Sequence, residues 1–256
     1  MPKANEIIDL LVSDLAWRKH EVSTLLLSVG SDNEEVMKKS LILLLYAHWE
    51  GYVKNIFKQY ILFIADRSLP LNELTDNFKA IHLKGLIGEL DSSKHTLTLS
   101  NELKFMNKLK GEKVCFSVKP SFSGDKDKSI INTTSNLSYK ILESFLEIGG
   151  LGKKPCLALK KTYIDKNLLG NRNIIAHGSI MPVDSGDSLS SIHEIKKLKS
   201  FIFCILDSLK DDVSGHIEKE FYLMANSALA TQHNSVTERQ LSKNIDEVFF
   251  DKSKKF

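Results

Sequence analysis

Residues 34–66, EEVMKKSLILLLYAHWEGYVKNIFKQYILFIAD, form the longest uninterrupted helical pattern in the chain. The middle of this stretch, SLILLLYAHWEGYVKNIF (40–57), is apolar nearly all the way round. A helix built from it must be covered on every side, in a bundle core or at an oligomer interface. The rest of the fold is therefore a question of what covers it.

Upstream, residues 5–29 read as one amphipathic helix, with Ile8, Leu11, Leu15 and Val22 near a 3.6-residue spacing, and Gly30-Ser31-Asp32-Asn33 breaks it from the next. Downstream, Ser190–Met224 is a second long amphipathic pattern. Between them, Ser135 and Asn136 can cap a helix to Ile148 that Gly149-Gly150 ends. Lys153–Lys161 is a basic connector, and Tyr163–His177 reads as helix, stopped by Gly178 and Pro182. Pro70 closes the central helix, and residues 68–134 are irregular: short helices over Leu71–Leu90 and Leu99–Leu109, an alternating Lys113–Lys119 that suits a short strand or an extended segment, and a loop at Pro120–Asp127. Asp184–Asp187 reads as a turn. From Ala225 the chain turns polar, with a marginal helix at Val236–Phe250 before the basic DKSKKF. The expectation is an all-α bundle: one helical domain over 1–230, an irregular insertion at about 68–134 with room for some β structure, and a polar basic tail over 231–256.

Composition narrows the class. Hydrophobic residues at 42% and charged residues at 26% exclude wholesale disorder. The longest apolar run, Leu41–Ala47, is far short of the ~18–20 residues of a membrane span. Asn5, Glu6 and Asp9 interrupt the only candidate apolar stretch for a signal peptide, so none is expected. Cys115, Cys156 and Cys204 stand 41 and 48 residues apart, which is neither a zinc knuckle nor a disulfide framework. A cytoplasmic protein with free thiols, no structural metal and no membrane contact is expected.

The net charge of +3 is too small to imply a polyanionic partner, but the charge is concentrated. Between Leu151 and Ile180, Lys153, Lys154, Lys160, Lys161, Lys166 and Arg172 face one acid, Asp165, so this segment carries +5 and the other 226 residues −2. A cationic patch on a slightly acidic protein draws a polyanion to one place. Within it lies IDKNLLGNRNIIAHG (164–178). On an ideal helix Leu168, Asn171 and Ile175 fall within about 40° of Ile164 and define the buried face. Asn173 and His177 fall roughly opposite, and Arg172 on the flank, about 140° from His177.

These residue types suit phosphodiester chemistry. A histidine with an ordinary pKa of ~6.5 exchanges protons near neutrality. Arginine stays charged and holds a phosphate with two parallel hydrogen bonds. RNA brings its own nucleophile in the 2′-OH, so a base and a phosphate clamp suffice without a cofactor. Because Arg172 and His177 diverge, either the helix is distorted or a second copy completes the site across a twofold axis. The second alternative is favoured here, since the polar face lies opposite the core stripe.

The stretch Arg172-Asn173-Ile174-Ile175-Ala176-His177-Gly178 resembles the R-x4-6-H signature of the HEPN superfamily, in which the residue after Arg is commonly Asn, His or Asp. LLLYAHWEGYVK (43–54), TSNLSYKILESFLEIGGLG (134–152) and IDKNLL (164–169) are similar to a prokaryotic branch found beside defence and toxin genes. The resemblance covers about 40–66 and 130–225; 68–134 and the tail carry no matching motif. It implies a bundle that dimerises with its two motifs facing each other. It also implies a metal-independent endoribonuclease leaving 2′,3′-cyclic phosphates, in a defence or toxin setting with an antitoxin or defence-system partner protein. On that basis Arg172 and His177 are the catalytic pair, Asn173 orients substrate or His177, and Lys153, Lys154, Lys160, Lys161 and Lys166 hold RNA. The alternative within the same resemblance is a non-catalytic RNA-binding or protein-interaction subunit.

Glu50 is a carboxylate in an otherwise apolar helix and needs a partner, for which Arg172 is a candidate. His48 reads as a satisfied core or interface histidine. No G-x-S-x-G elbow, phosphate loop or H-E-x-x-H zinc motif is present. Two tryptophans and six tyrosines suggest no stacking platform for single strands.

Overall fold

The computed structural model describes residues 3–92, 98–110, 114–118, 131–133, 136–178 and 191–250. Helix α1 (Ala4–Leu27) buries Ile7, Leu11, Leu15 and Val22, and its start is closed by Lys3 N–H donating to Glu6 Oε2 at 3.0 Å. Helix α2 spans Glu34–Asp66, the bounds expected, and buries Leu41, Leu45, Trp49, Tyr52, Ile56, Phe57 and Tyr60 on successive sides. It is the axis of the bundle. Helix α1 and the later helices over Tyr139–Gly149, Asn171–Ala176 and Ile192–Glu218 pack around it. The polar atoms it carries inward are matched: Trp49 Nε1 donates to Leu137 O at 3.2 Å and Tyr52 OH to Leu11 O at 3.2 Å.

After α2 a 3-10 turn (Leu71–Glu73) leads into α3 (Asp76–Ser92) and α4 (Ser100–Lys110). The alternation seen at Val114, Phe116 and Val118 does bury Phe116, and Val114 and Val118 pack against the core. Yet no strand forms among the described residues. Leu71 N–H donates to Val114 O at 2.7 Å and Phe116 N–H to Leu69 O at 2.8 Å, an isolated bridge at Pro70 and Cys115, because proline lacks the N–H needed to extend a ladder. The expected loop at 120–127 and turn at 184–187 lie outside the described residues.

Helix α5 (Tyr139–Gly149) is capped by Ser138, whose Oγ accepts from Ile141 N–H, two residues beyond the expected Asn136; the expected Ser135 lies outside the described residues. It stops where Gly150 takes the left-handed conformation at φ 70°. The short α6 (Pro155–Ala158) and α7 (Lys161–Tyr163) lead into a π-helix (Ile164–Gly170) and α8 (Asn171–Ala176). Helix α9 (Ile192–Glu218) starts with Ser191 and Glu194 exchanging capping bonds. It ends six residues before the expected Met224. Glu220 turns left-handed at φ 52°, and Tyr222 folds back so that its carbonyl accepts from Thr75 N–H at 2.9 Å.

The largest departure is at the C-terminus. The helix expected at Val236–Phe250 is part of a longer one: α10 runs over Ser227–Phe249 and packs along α9, burying Ala230, Leu241 and Ile245, so 231–249 are packed helix rather than tail. Few large apolar residues mark its inner face, because polar ones do the attaching. Asn234 Nδ2 donates to Gly150 O at 3.1 Å, Glu238 Oε1 accepts from Cys156 N–H at 3.1 Å, and Thr237 Oγ1 accepts from Lys154 Nζ at 2.9 Å. The expected domain boundary near 230 falls inside this helix. Cys156 is buried, Cys204 half-buried and Cys115 exposed, all free thiols.

Candidate functional site

The run from Lys161 to Ala176 is continuous helix, but its middle is π-wound: Asn171 N–H reaches Lys166 O, five residues back. Such wide turns are rare and frequently occur at functional sites. Gly170 fits the widened turn, where a Cβ would stand 3.3 Å from Asp165 O. Ile164, Leu168 and Asn171 are buried, as the helical spacing predicts, and Asp165 Oδ1 accepts from Tyr139 N–H at 2.8 Å, which fastens the segment to the start of α5. The distortion lies wholly before the motif, and Asn171–Ala176 is regular α-helix, so the divergence of Arg172 and His177 persists within the protomer.

Arg172 turns back toward α2. Its guanidinium carbon lies 4.5 Å from the centre of the Tyr46 ring. Nη1 donates to Asn173 Oδ1 at 2.6 Å and, at 3.4 Å, to Asn136 Oδ1. The Tyr46 hydroxyl accepts from Leu137 N–H at 2.8 Å and bonds to Glu50, which in turn accepts from Thr133 Oγ1. Burial, with Glu50 beside it, pushes the Tyr46 phenol up to about 12, so it stays a neutral donor. Glu50 is therefore joined to Arg172 through Tyr46. Asn173 accepts from Arg172 through its carbonyl oxygen, so within the protomer it contacts the guanidinium.

His177 follows α8 directly. Its N–H closes the helix on Asn173 O at 3.0 Å, Gly178 turns left-handed at φ 72°, and the imidazole is exposed. The structure thus places the guanidinium against the bundle and the imidazole in solvent, on one short helix. His48 is buried between α1 and α2, with Nε2 2.8 Å from Glu21 Oε2 and Nδ1 3.4 Å from Arg18 Nη1; burial lowers its pKa, helped by Arg18. It belongs to the core.

The lysines part company. Lys153, Lys161 and Lys166 are exposed. Lys160 packs its ammonium 4.0 Å from the centre of the Phe249 ring. Lys154 is buried: its Nζ lies 2.8 Å from Asp212 Oδ2, with only 2% and 1% of the two side chains exposed. It holds α10 and α9 to the loop before α6, and, sealed inside, its ammonium does not reach RNA, contrary to what the charge count predicts. The sequence reading assigns no place at the site to Tyr46 or Thr133, and gives Asn136 only as a cap. Tyr46 stands four residues before Glu50, on the same face of α2, which was the available signal.

Among the described residues no group of three or more His, Cys, Asp or Glu is placed to hold a metal ion, and no helix is long and apolar enough to cross a membrane. The RiboL-PSP-HEPN family model matches residues 13–215, taking in the segment 68–134 and stopping short of α10. No curated protein and no solved structure matches the chain.

Proposed function

Because the chain belongs to the RiboL-PSP-HEPN family, we propose that it is an endoribonuclease with Arg172 and His177 as its catalytic pair. The observation that carries this reading is a half-buried guanidinium braced by Tyr46, Asn173 and Asn136, five residues before an exposed imidazole at a helix end. The braced cation is suited to a phosphate whose charge grows in the transition state, since it needs no reorganisation as the charge develops. The exposed imidazole is suited to proton transfer with a substrate arriving from solvent.

In this mechanism one His177 takes the proton of the RNA 2′-OH as its oxygen attacks the adjacent phosphorus. Arg172 stabilises the pentacovalent phosphate. The bond to the 5′-oxygen breaks, a proton from the His177 of a second copy goes to that oxygen, and a 2′,3′-cyclic phosphate remains. A homodimer places the two imidazoles in one cleft, and Lys153, Lys161 and Lys166 contact flanking RNA. An enzyme of this kind must be restrained, so a partner protein of the antitoxin type belongs to the proposal, in a toxin or defence setting.

The test is cleavage of RNA by the purified protein in EDTA. His177→Ala is expected to abolish cutting while the dimer and RNA binding persist, and Arg172→Lys to cut far more slowly, because a point charge replaces a planar fork. Equal degradation by wild type and His177→Ala would identify a contaminant and leave a non-catalytic RNA-binding or protein-interaction subunit.

A further inference from the structure

A cleft of about 1010 Å³ runs between α1, the exposed side of α9 and the end of α10. Some of its lysines are internally matched: Lys19 Nζ lies 2.6 Å from both oxygens of Asp207, and Lys199 Nζ donates to Ser23 Oγ at 3.1 Å. Lys196 and Lys197 differ. No carboxylate of a described residue ion-pairs with either, although Glu247 lines the same cleft. At the α10 end, the Phe249 ring carries two ammonium groups, Lys160 at 4.0 Å and Lys197 at 4.7 Å from its centre. The ring is fixed by edge contacts to Tyr163 and Phe201 at 5.0 and 5.3 Å.

Two ammoniums on one ring sit within about a Debye length of each other and repel. An anion bound in the cleft at Lys197 offsets that repulsion. Phe250, 61% exposed, lines the same cleft and offers an open aromatic face. A cationic groove with an exposed ring suits a single nucleic-acid strand, the phosphates on the lysines and a base on the ring. An acidic peptide would use the lysines and leave the ring idle.

We infer that this cleft binds the phosphodiester backbone of a single RNA strand outside the cleavage centre, with a base stacked on Phe250. The inference rests on the endoribonuclease reading only for the identity of the strand as substrate. Lys160 immediately precedes the helical run Lys161–Ala176 that carries Arg172.

The experiment measures anisotropy of a fluorescein-labelled oligouridylate with full-length His177→Ala protein. Lys196→Glu/Lys197→Glu is expected to weaken binding about tenfold or more and to lower the salt slope by about 1.4, since each phosphate contact on a single strand contributes ~0.7. Phe250→Ala is expected to cost about tenfold, the scale of one lost stacked base, and Lys84→Glu on α3 to change nothing. Lys197→Gln, which keeps the stem over Phe249, serves if the charge reversal unfolds. Unchanged affinity in the lysine and Phe250 variants overturns the inference, as does tighter binding of poly-glutamate than of oligouridylate. Cleavage of a dinucleotide separates the two readings. If wild type fails to cut any RNA yet the cleft variants lose binding, the cleft stands and the catalytic reading falls; if Lys196→Glu/Lys197→Glu cuts a dinucleotide normally and a long RNA poorly, both stand.

Discussion

The guanidinium of Arg172 rests 4.5 Å from the centre of the Tyr46 ring, on a helix 126 residues earlier in the chain. That contact ties the R-x4-H motif to the most buried helix of the bundle, and the Tyr46 hydroxyl extends the tie to Glu50 and Leu137.

Tyr46→Leu removes the ring and with it a cation–π contact of roughly 1–2 kcal/mol. Cleavage is expected to fall about tenfold beyond any loss of folded protein. Tyr46→Phe keeps the ring but strands the Leu137 N–H and takes one donor from Glu50, which keeps that of Thr133. It should cost about 1–3 kcal/mol of stability with near-normal activity per folded molecule. Urea unfolding beside cleavage rates separates the two, and equal activity of the Leu and wild-type proteins would dismiss the positioning role.

Lys154 and Asp212 form a pair with both side chains almost wholly buried. Removing one partner leaves a buried charge alone, at about 3–5 kcal/mol. Lys154→Met or Asp212→Asn is expected to lower Tm by about 10 °C, at ~2–4 °C per kcal/mol for a chain of this size. The double variant Lys154→Met/Asp212→Leu should recover most of it. RNA affinity measured well below the lower Tm is expected to be unchanged by Lys154→Met.

Burial pushes the His216 imidazole down to about 4, against opposing pulls from Asn234 and Asp212, with His233 and Lys154 reinforcing the fall. In the unfolded chain it titrates near ~6.5. Between these values the unfolded chain holds a proton that the folded chain refuses, so its contribution to stability is complete above about pH 6.5 and is lost as pH falls toward 4. The loss is about 3 kcal/mol at the acid end. His233 and His48, also lowered chiefly by burial, act in the same direction. Urea titrations at pH 7.5 and 4.5 should show a smaller difference for His216→Asn than for wild type; an equal difference would assign the acid sensitivity elsewhere.

Gly149 faces Phe57, and a Cβ there would stand 2.5 Å from the ring edge of a fully buried side chain stacked on Phe145. Gly149→Ala is expected to destabilise by roughly 1–3 kcal/mol. Calorimetry of the variant tests this, and an unchanged Tm would show that the ring can shift.

The long helices were legible because burial repeats along them. Leu11, Leu15 and Val22 face inward at helical spacing, and the all-round apolar character of 40–57 announced an axis rather than a face. The motif was legible as a resemblance. What surrounds it was not: Tyr46 looks like one more core residue in LILLLYA, and Asn136 like a cap. The charge count likewise treated Lys153 and Lys154 as equals, whereas one is exposed and the other is sealed against Asp212.

Taken alone, the chain's order of residues determined that this protein is a helical bundle around 34–66 and that its positive charge and its Arg–His motif share one segment, since periodicity and composition are local properties. Tertiary structure alone decided which cations are spent inside, how α10 is fastened by polar groups, and what braces Arg172. Those outcomes depend on contacts between positions far apart in sequence, such as Tyr46 with Arg172 and Lys154 with Asp212, and on a π-turn at Ile164–Gly170 that a uniform 100° step does not contain.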